Sequence, residues 1–166
     1  MANPLTRGFV NALIGKGAHL SPKAALEGLS VAQVRRRPVK GLATIWEQLA
    51  HMVYWQDFLL RVSEGKEPKA PRSAELGWPA MPPLAGSRNG WAKLVKRFER
   101  GLAAATRIAE EKTPTAGVKP GSRRTFGGIL LTLADHNSYH LGQIVTLRRG
   151  DAVRPTAALR TFVDDR

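Results

Sequence analysis

Apolar side chains recur at steps of three and four along most of the chain, and the strict alternation of a half-buried strand is absent. The pattern predicts an all-helical protein with four long amphipathic helices, a four-helix bundle. The first helix is predicted to begin at Asn3, an N-cap with Pro4 at the first helical position, and to stop around residues 15–17. Leu5, Phe9 and Leu13 form its apolar stripe, with Ile14 at the margin. Residues 19–43 make a long connection, a crossover rather than a tight hairpin. Within it Ser21 before Pro22, and Ser30, signal short helical turns, while Pro38 and Gly41 break continuity.

The second long helix is predicted to start at Thr44, where Thr44 and Glu47 match a capping box, and to run to about Ser63. Its apolar set is Ile45, Leu49, Met52, Val53, Phe58 and Leu59. Residues 65–86 hold Pro68, Pro71, Pro79, Pro82 and Pro83 together with Trp78 and Met81. That is loop chemistry with enough apolar surface to fold back over a pocket. The third helix, residues 88–112, carries Trp91, Leu94, Val95, Phe98, Leu102, Ala105, Ile108 and Ala109 on one side and Lys and Arg on the other. The fourth, residues 125–150, carries Ile129, Leu130, Leu133, Leu141, Ile144 and Leu147. Residues 1–150 read as one bundle domain and residues 151–166 as a tail that holds one short turn or is partly disordered.

The chain of 166 residues has no cysteine, which excludes disulfides, thiolate ligands and a cysteine nucleophile. No signal-peptide pattern opens it and no stretch is long and apolar enough to span a membrane, so a cytoplasmic protein is expected. Its net charge is +13, from 26 Lys and Arg against 13 Asp and Glu. Such a field attracts phosphates and other anions. The basic residues are nevertheless scattered: Arg35 to Arg37 end one segment, Arg123 and Arg124 lie in a loop, and Arg148 and Arg149 close a helix, where the helix dipole favours cations. Nucleic-acid binding rests on charge alone.

The chemistry lies in the histidines. His136 and His140 are four residues apart, which on a helix puts both rings on one face, one turn apart. Asn137 stands where a zinc protease would carry its glutamate, which argues against that mechanism. His51, amid Leu49, Met52 and Val53, is the natural third ligand from a facing helix, or a satisfied polar residue of the core. Imidazole and oxygen ligands suit zinc, nickel, iron or manganese. His19, near Ser21, reads as a surface residue, or as one that lines the mouth of the pocket.

Residues 46–55 around His51, and residues 135–144 with Asp135, His136, Asn137, Ser138, Tyr139, His140, Leu141, Gly142 and Gln143, resemble the DinB-like superfamily of metal-binding four-helix bundles. Residues 24–30, with Pro38 and the capped helix start after them, look like that family's connection. The resemblance spans the chain up to Arg149. It implies that His51, His136 and His140 are the ligands of a divalent ion, commonly zinc or nickel, with open coordination. It also implies similarity in fold to thiol S-transferases that use low-molecular-weight thiols, to a thiol-dependent isomerase, and a tendency to pair as homodimers.

The expected function is a metal-dependent enzyme on a small molecule, thiol transfer ahead of hydrolysis. The alternative is a non-enzymatic stress protein that binds metal or nucleic acid. Glu47, one turn before His51, and Tyr54, one turn after, are the candidates for proton transfer. The capping box already accounts for Glu47. Gln143, one turn beyond His140, either faces the site or bonds to a neighbouring helix.

Overall fold

The computed structural model describes residues 3–16, 19–38, 40–83 and 87–150. Six α-helices follow in order: α1 (Pro4–Ile14), α2 (Pro22–Leu26), α3 (Val31–Arg35), α4 (Ile45–Ser63), α5 (Ser87–Glu111) and α6 (Phe126–Gly150). A 3-10 turn (Ala74–Gly77) interrupts the proline-rich connection between α4 and α5. Among the described residues there is no β-strand, and no helix is long and apolar enough to cross a membrane. The tail, residues 151–166, lies outside the described residues.

The caps that the sequence announces are made. Asn3 accepts from the Leu5 amide with Pro4 in the first turn, and Gly15 ends α1 with φ 75°. Ser21 caps α2, while Ser30 with Gln33 and Thr44 with Glu47 form reciprocal capping boxes on α3 and α4. Each satisfies amides that a helix start leaves without partners.

Helix lengths explain how the bundle closes. At 25 residues each, α5 and α6 reach about 37 Å, whereas the 11 residues of α1 reach only about 16 Å. The core accordingly forms two clusters. In one, Leu13 of α1 packs with Val62, Ala105, Ala109, Ile129, Leu130 and Leu133. In the other, α1 is absent and its place is taken by Ala25 and Leu26 of α2 and Val34 of α3, against Leu49, Met52, Phe98, Leu141 and Ile144. The long connection is therefore structural: its two short helices complete the bundle where α1 runs out. The stripe expected on α1 is narrower than the sequence suggests. Leu5 and Ile14 are exposed, and Val10 joins Phe9 against the core. A single short helix at the end of a bundle buries one face only, so near-misses in phase fall outside it.

Polar groups are also buried. Gln56 on α4 is fully buried and donates from Nε2 to the Phe98 carbonyl on α5 (3.0 Å). Gly101, one turn on, makes the room: a Cβ there would sit 1.9 Å from Gln56 Nε2 and 2.5 Å from its Cδ. Gly101→Ala is expected to cost about 1–3 kcal/mol, because the amide must leave its carbonyl to admit the methyl. The shift in a urea midpoint measures this, and Gln56→Ala in the same chain should recover part of it. An unchanged midpoint would contradict the fit.

Arg148 departs from its expected role as a helix-end surface cation. It is 2% exposed, and its Nη1 donates to the carbonyls of Ala25 (2.7 Å) and Ala24 (3.2 Å) in α2. A guanidinium reaches and satisfies the last carbonyls of that short helix, tying the crossover to α6. Arg149 remains exposed.

Candidate metal centre

His51 lies in the buried face of α4, and His136 and His140 lie one turn apart on α6. The three rings converge, with centroids 5.0 Å (His51 to His136), 4.7 Å (His51 to His140) and 4.5 Å (His136 to His140) apart. One potential ligand nitrogen from each lies within 4.8 Å of the others, a group that could hold a metal ion.

The surroundings decide which nitrogen two of the rings offer. His51 Nδ1 is 2.6 Å from the Gly77 carbonyl, which can only accept, so the proton sits on Nδ1 and the lone pair on Nε2. His140 Nδ1 faces two amide oxygens, Gln48 Oε1 at 2.6 Å and Gln143 Oε1 at 2.9 Å, and by the same reasoning its Nε2 is left for a ligand. His51 Nε2 and His136 Nε2 stand 3.2 Å apart. Tetrahedral zinc with bonds of about 2.0–2.1 Å needs its nitrogens about 3.3–3.4 Å apart, so that pair already has nearly the spacing of two ligands on one ion. The donor set is all neutral nitrogen and fits zinc, nickel or another borderline ion.

Electrostatics agree. Burial, then the neighbouring imidazoles, pull His136 down from the ordinary 6.5 to about 4. Burial, then the charge of His51, pull His140 down to about 4 as well. Burial lowers His51 too, partly opposed by its bond to Gly77. All three rings are thus neutral near pH 7, the state that ligates metal.

A stability consequence follows for metal-free protein. The unfolded chain takes up protons near pH 6.5, whereas folded His136 and His140 resist until about pH 4. The unfolded state then binds more protons, so stability is full above pH 6.5 and declines as pH falls from 6.5 towards 4. Urea unfolding across that window should show the decline in metal-free wild type and a shallower one in His136→Gln; parallel curves would argue against neutral buried rings.

The proline-rich connection covers the site. Its 3-10 turn delivers the Gly77 carbonyl to His51, and Trp78 stacks on the His51 ring at 3.9 Å between centroids and 13° between planes. Trp55 meets the same ring edge-on.

The histidine group is also where a known family enters. The sequence profile of the DinB superfamily matches residues 23–144, a span that takes in all three histidines. The chain belongs to the DinB superfamily. No curated protein and no solved structure matches it.

Other candidates fall into distinct places in this DinB-superfamily chain. Glu47 is engaged as a cap, its carboxylate accepting from the Thr44 amide (2.7 Å) and from Arg37 (2.6 Å). Burial alone would raise its pKa, but those hydrogen bonds outweigh it and hold the carboxyl below its usual range. Tyr54 is half-buried and packs edge-on against Trp55. His19 is not the surface residue expected. It is half-buried, with Nδ1 2.9 Å from the Leu20 carbonyl and Nε2 2.8 Å from Ser138 Oγ on α6. Gly15 makes that seat possible, since a Cβ there would approach the Leu20 oxygen to 2.7 Å.

Sequence reasoning did not single out Gln48, Gly77 or Trp78 as site residues. A signal existed for Gln48, an amide three residues before His51 on a face otherwise apolar. Gly77 and Trp78 had none beyond the apolar character of their loop.

Proposed function

We propose that His51, His136 and His140 hold one divalent ion, zinc or nickel, and that the protein is a metal-dependent enzyme acting on a small molecule. The reaction we favour is transfer of a low-molecular-weight thiol to an electrophile, ahead of hydrolysis. The observation that carries this reading is the convergence of three neutral imidazoles within 4.8 Å, two with their outer nitrogens committed to fixed acceptors.

When bound, the ion would supply Lewis acidity undiminished by protein carboxylates, since every ligand is uncharged. The chain does the rest. Gly77 and the amides of Gln48 and Gln143 hold the ring tautomers and orientations. Trp78 shields one face of His51 from water. Of the two proton-transfer candidates, the reading favours Tyr54, because the carboxylate of Glu47 is committed to Thr44 and Arg37.

Elemental analysis of untagged protein, beside His51→Ala and His140→Ala, tests the metal. About one equivalent in wild type, lost from both variants with helicity retained, is the expected result. Wild type that takes up no ion even after reconstitution would reject the site. Loaded protein is then assayed with thiols and an electrophile panel. Turnover that vanishes in His140→Ala supports the transferase reading, and turnover undiminished there would sink it.

A further inference from the structure

A groove of about 410 Å³ beside α4 and α6 lies behind the metal centre, on the side of His140 that carries Nδ1. Its volume falls within the about 300–1,000 Å³ of small-molecule sites. Leu147, Leu42 and Tyr139 supply apolar wall, and the last two are large side chains left 52% and 65% exposed. Gly142, Gln48 and Gln143 lie beside them, and among the described residues no charged side chain lines the groove.

The two amides give the groove a polarity. Each turns its oxygen to His140 Nδ1, so the opposite end of each amide, the NH2, is directed away from the imidazole. Gln48 is only 5% exposed but lines the groove, and its oxygen is already engaged by His140 Nδ1. The NH2 is therefore the polar group that its side chain has left to offer a ligand. A pair of donors on an apolar, uncharged wall selects a ligand with an acceptor oxygen and a hydrocarbon body, and rejects one whose polar end only donates.

We propose that this groove binds a small apolar molecule through a carboxylate or carbonyl oxygen, held by the side-chain amides of Gln48 and Gln143. The site goes beyond the metal chemistry and does not need the ion. Its occupant touches the same amides that orient His140, which links the groove to the centre.

The test uses metal-free protein, so its outcome is separate from that of the metal reading. Octanoate, octanamide and octylamine are titrated by calorimetry, with the side-chain amide signals of Gln48 and Gln143 followed by NMR. At least one of the two acceptor ligands should bind and shift both amides, with octylamine weaker by about tenfold or more. The arms also separate an anionic from a neutral acceptor. Gly142→Leu fills the groove without strain, since a Cβ at that position meets nothing within 4 Å and leucine favours a helix over glycine. This variant should keep its melting temperature and lose affinity by about tenfold. Failure of both acceptors to bind at millimolar concentration, equal binding of octylamine, or undiminished binding in Gly142→Leu would each overturn the proposal.

Discussion

Arg148→Ala is expected to destabilise the protein by about 2–4 kcal/mol, the sum of a cavity in the core and two carbonyls left without a donor. The size of this effect separates two roles. A cation that merely complements the helix dipole at a solvated end is worth about 0.3–1 kcal/mol. Arg148 is 2% exposed and bonded to Ala24 and Ala25, so its loss frees α2 from α6 and opens the end of the bundle that α1 does not reach. Arg148→Met should fall between, filling the volume but leaving the carbonyls bare. Denaturant midpoints with unchanged slope measure all three proteins. A loss under about 0.5 kcal/mol for Arg148→Ala would return the residue to the surface.

Gln48→Leu is expected to weaken divalent-ion binding by about ten- to a hundredfold while leaving the fold intact. Its amide oxygen is the nearer of the two acceptors on His140 Nδ1, at 2.6 Å against 2.9 Å for Gln143. Removing it frees the ring to rotate and lowers the basicity of the nitrogen that faces the site. Leucine is close in volume and apolar, so the core accepts it. Competition against a chromophoric chelator measures the change, and Gln143→Leu should show a smaller one. Equal affinity in Gln48→Leu and wild type would mean that His140 needs no partner from α4.

Much of this was legible in the sequence because it is local. Asn3, Ser21, Ser30 and Thr44 announce helix starts through bonds that span two or three residues, and the helical period locates the core faces of α4, α5 and α6. The pairing of His136 with His140 follows from one turn of helix. What stayed hidden depends on which helices face each other. Gln48 reaches His140 across 92 positions, and its place on an apolar face near His51 hints at burial but not at which ring it meets. Arg148 was misjudged because a solvated helix end explains an arginine at little cost, while its true partners lie on a five-residue helix over a hundred positions earlier. His19 was misplaced for the same reason, since its bond to Ser138 crosses 119 positions. Leu5 and Ile14 err the other way: local period promised burial that the short α1 had no neighbours to provide.

The notch at Gly101 has a bearing on the imidazoles that its distance from them conceals. With the amide of Gln56 seated in it, α4 and α5 have a single axial register, as an index pin has one hole. A slip of one turn, about 5.4 Å, would set that amide against residues that carry side chains. His51 rides on α4 five positions before the pin, so its height along the bundle, level with His136 and His140, is fixed by a glycine on α5, a helix that contributes no imidazole to the centre.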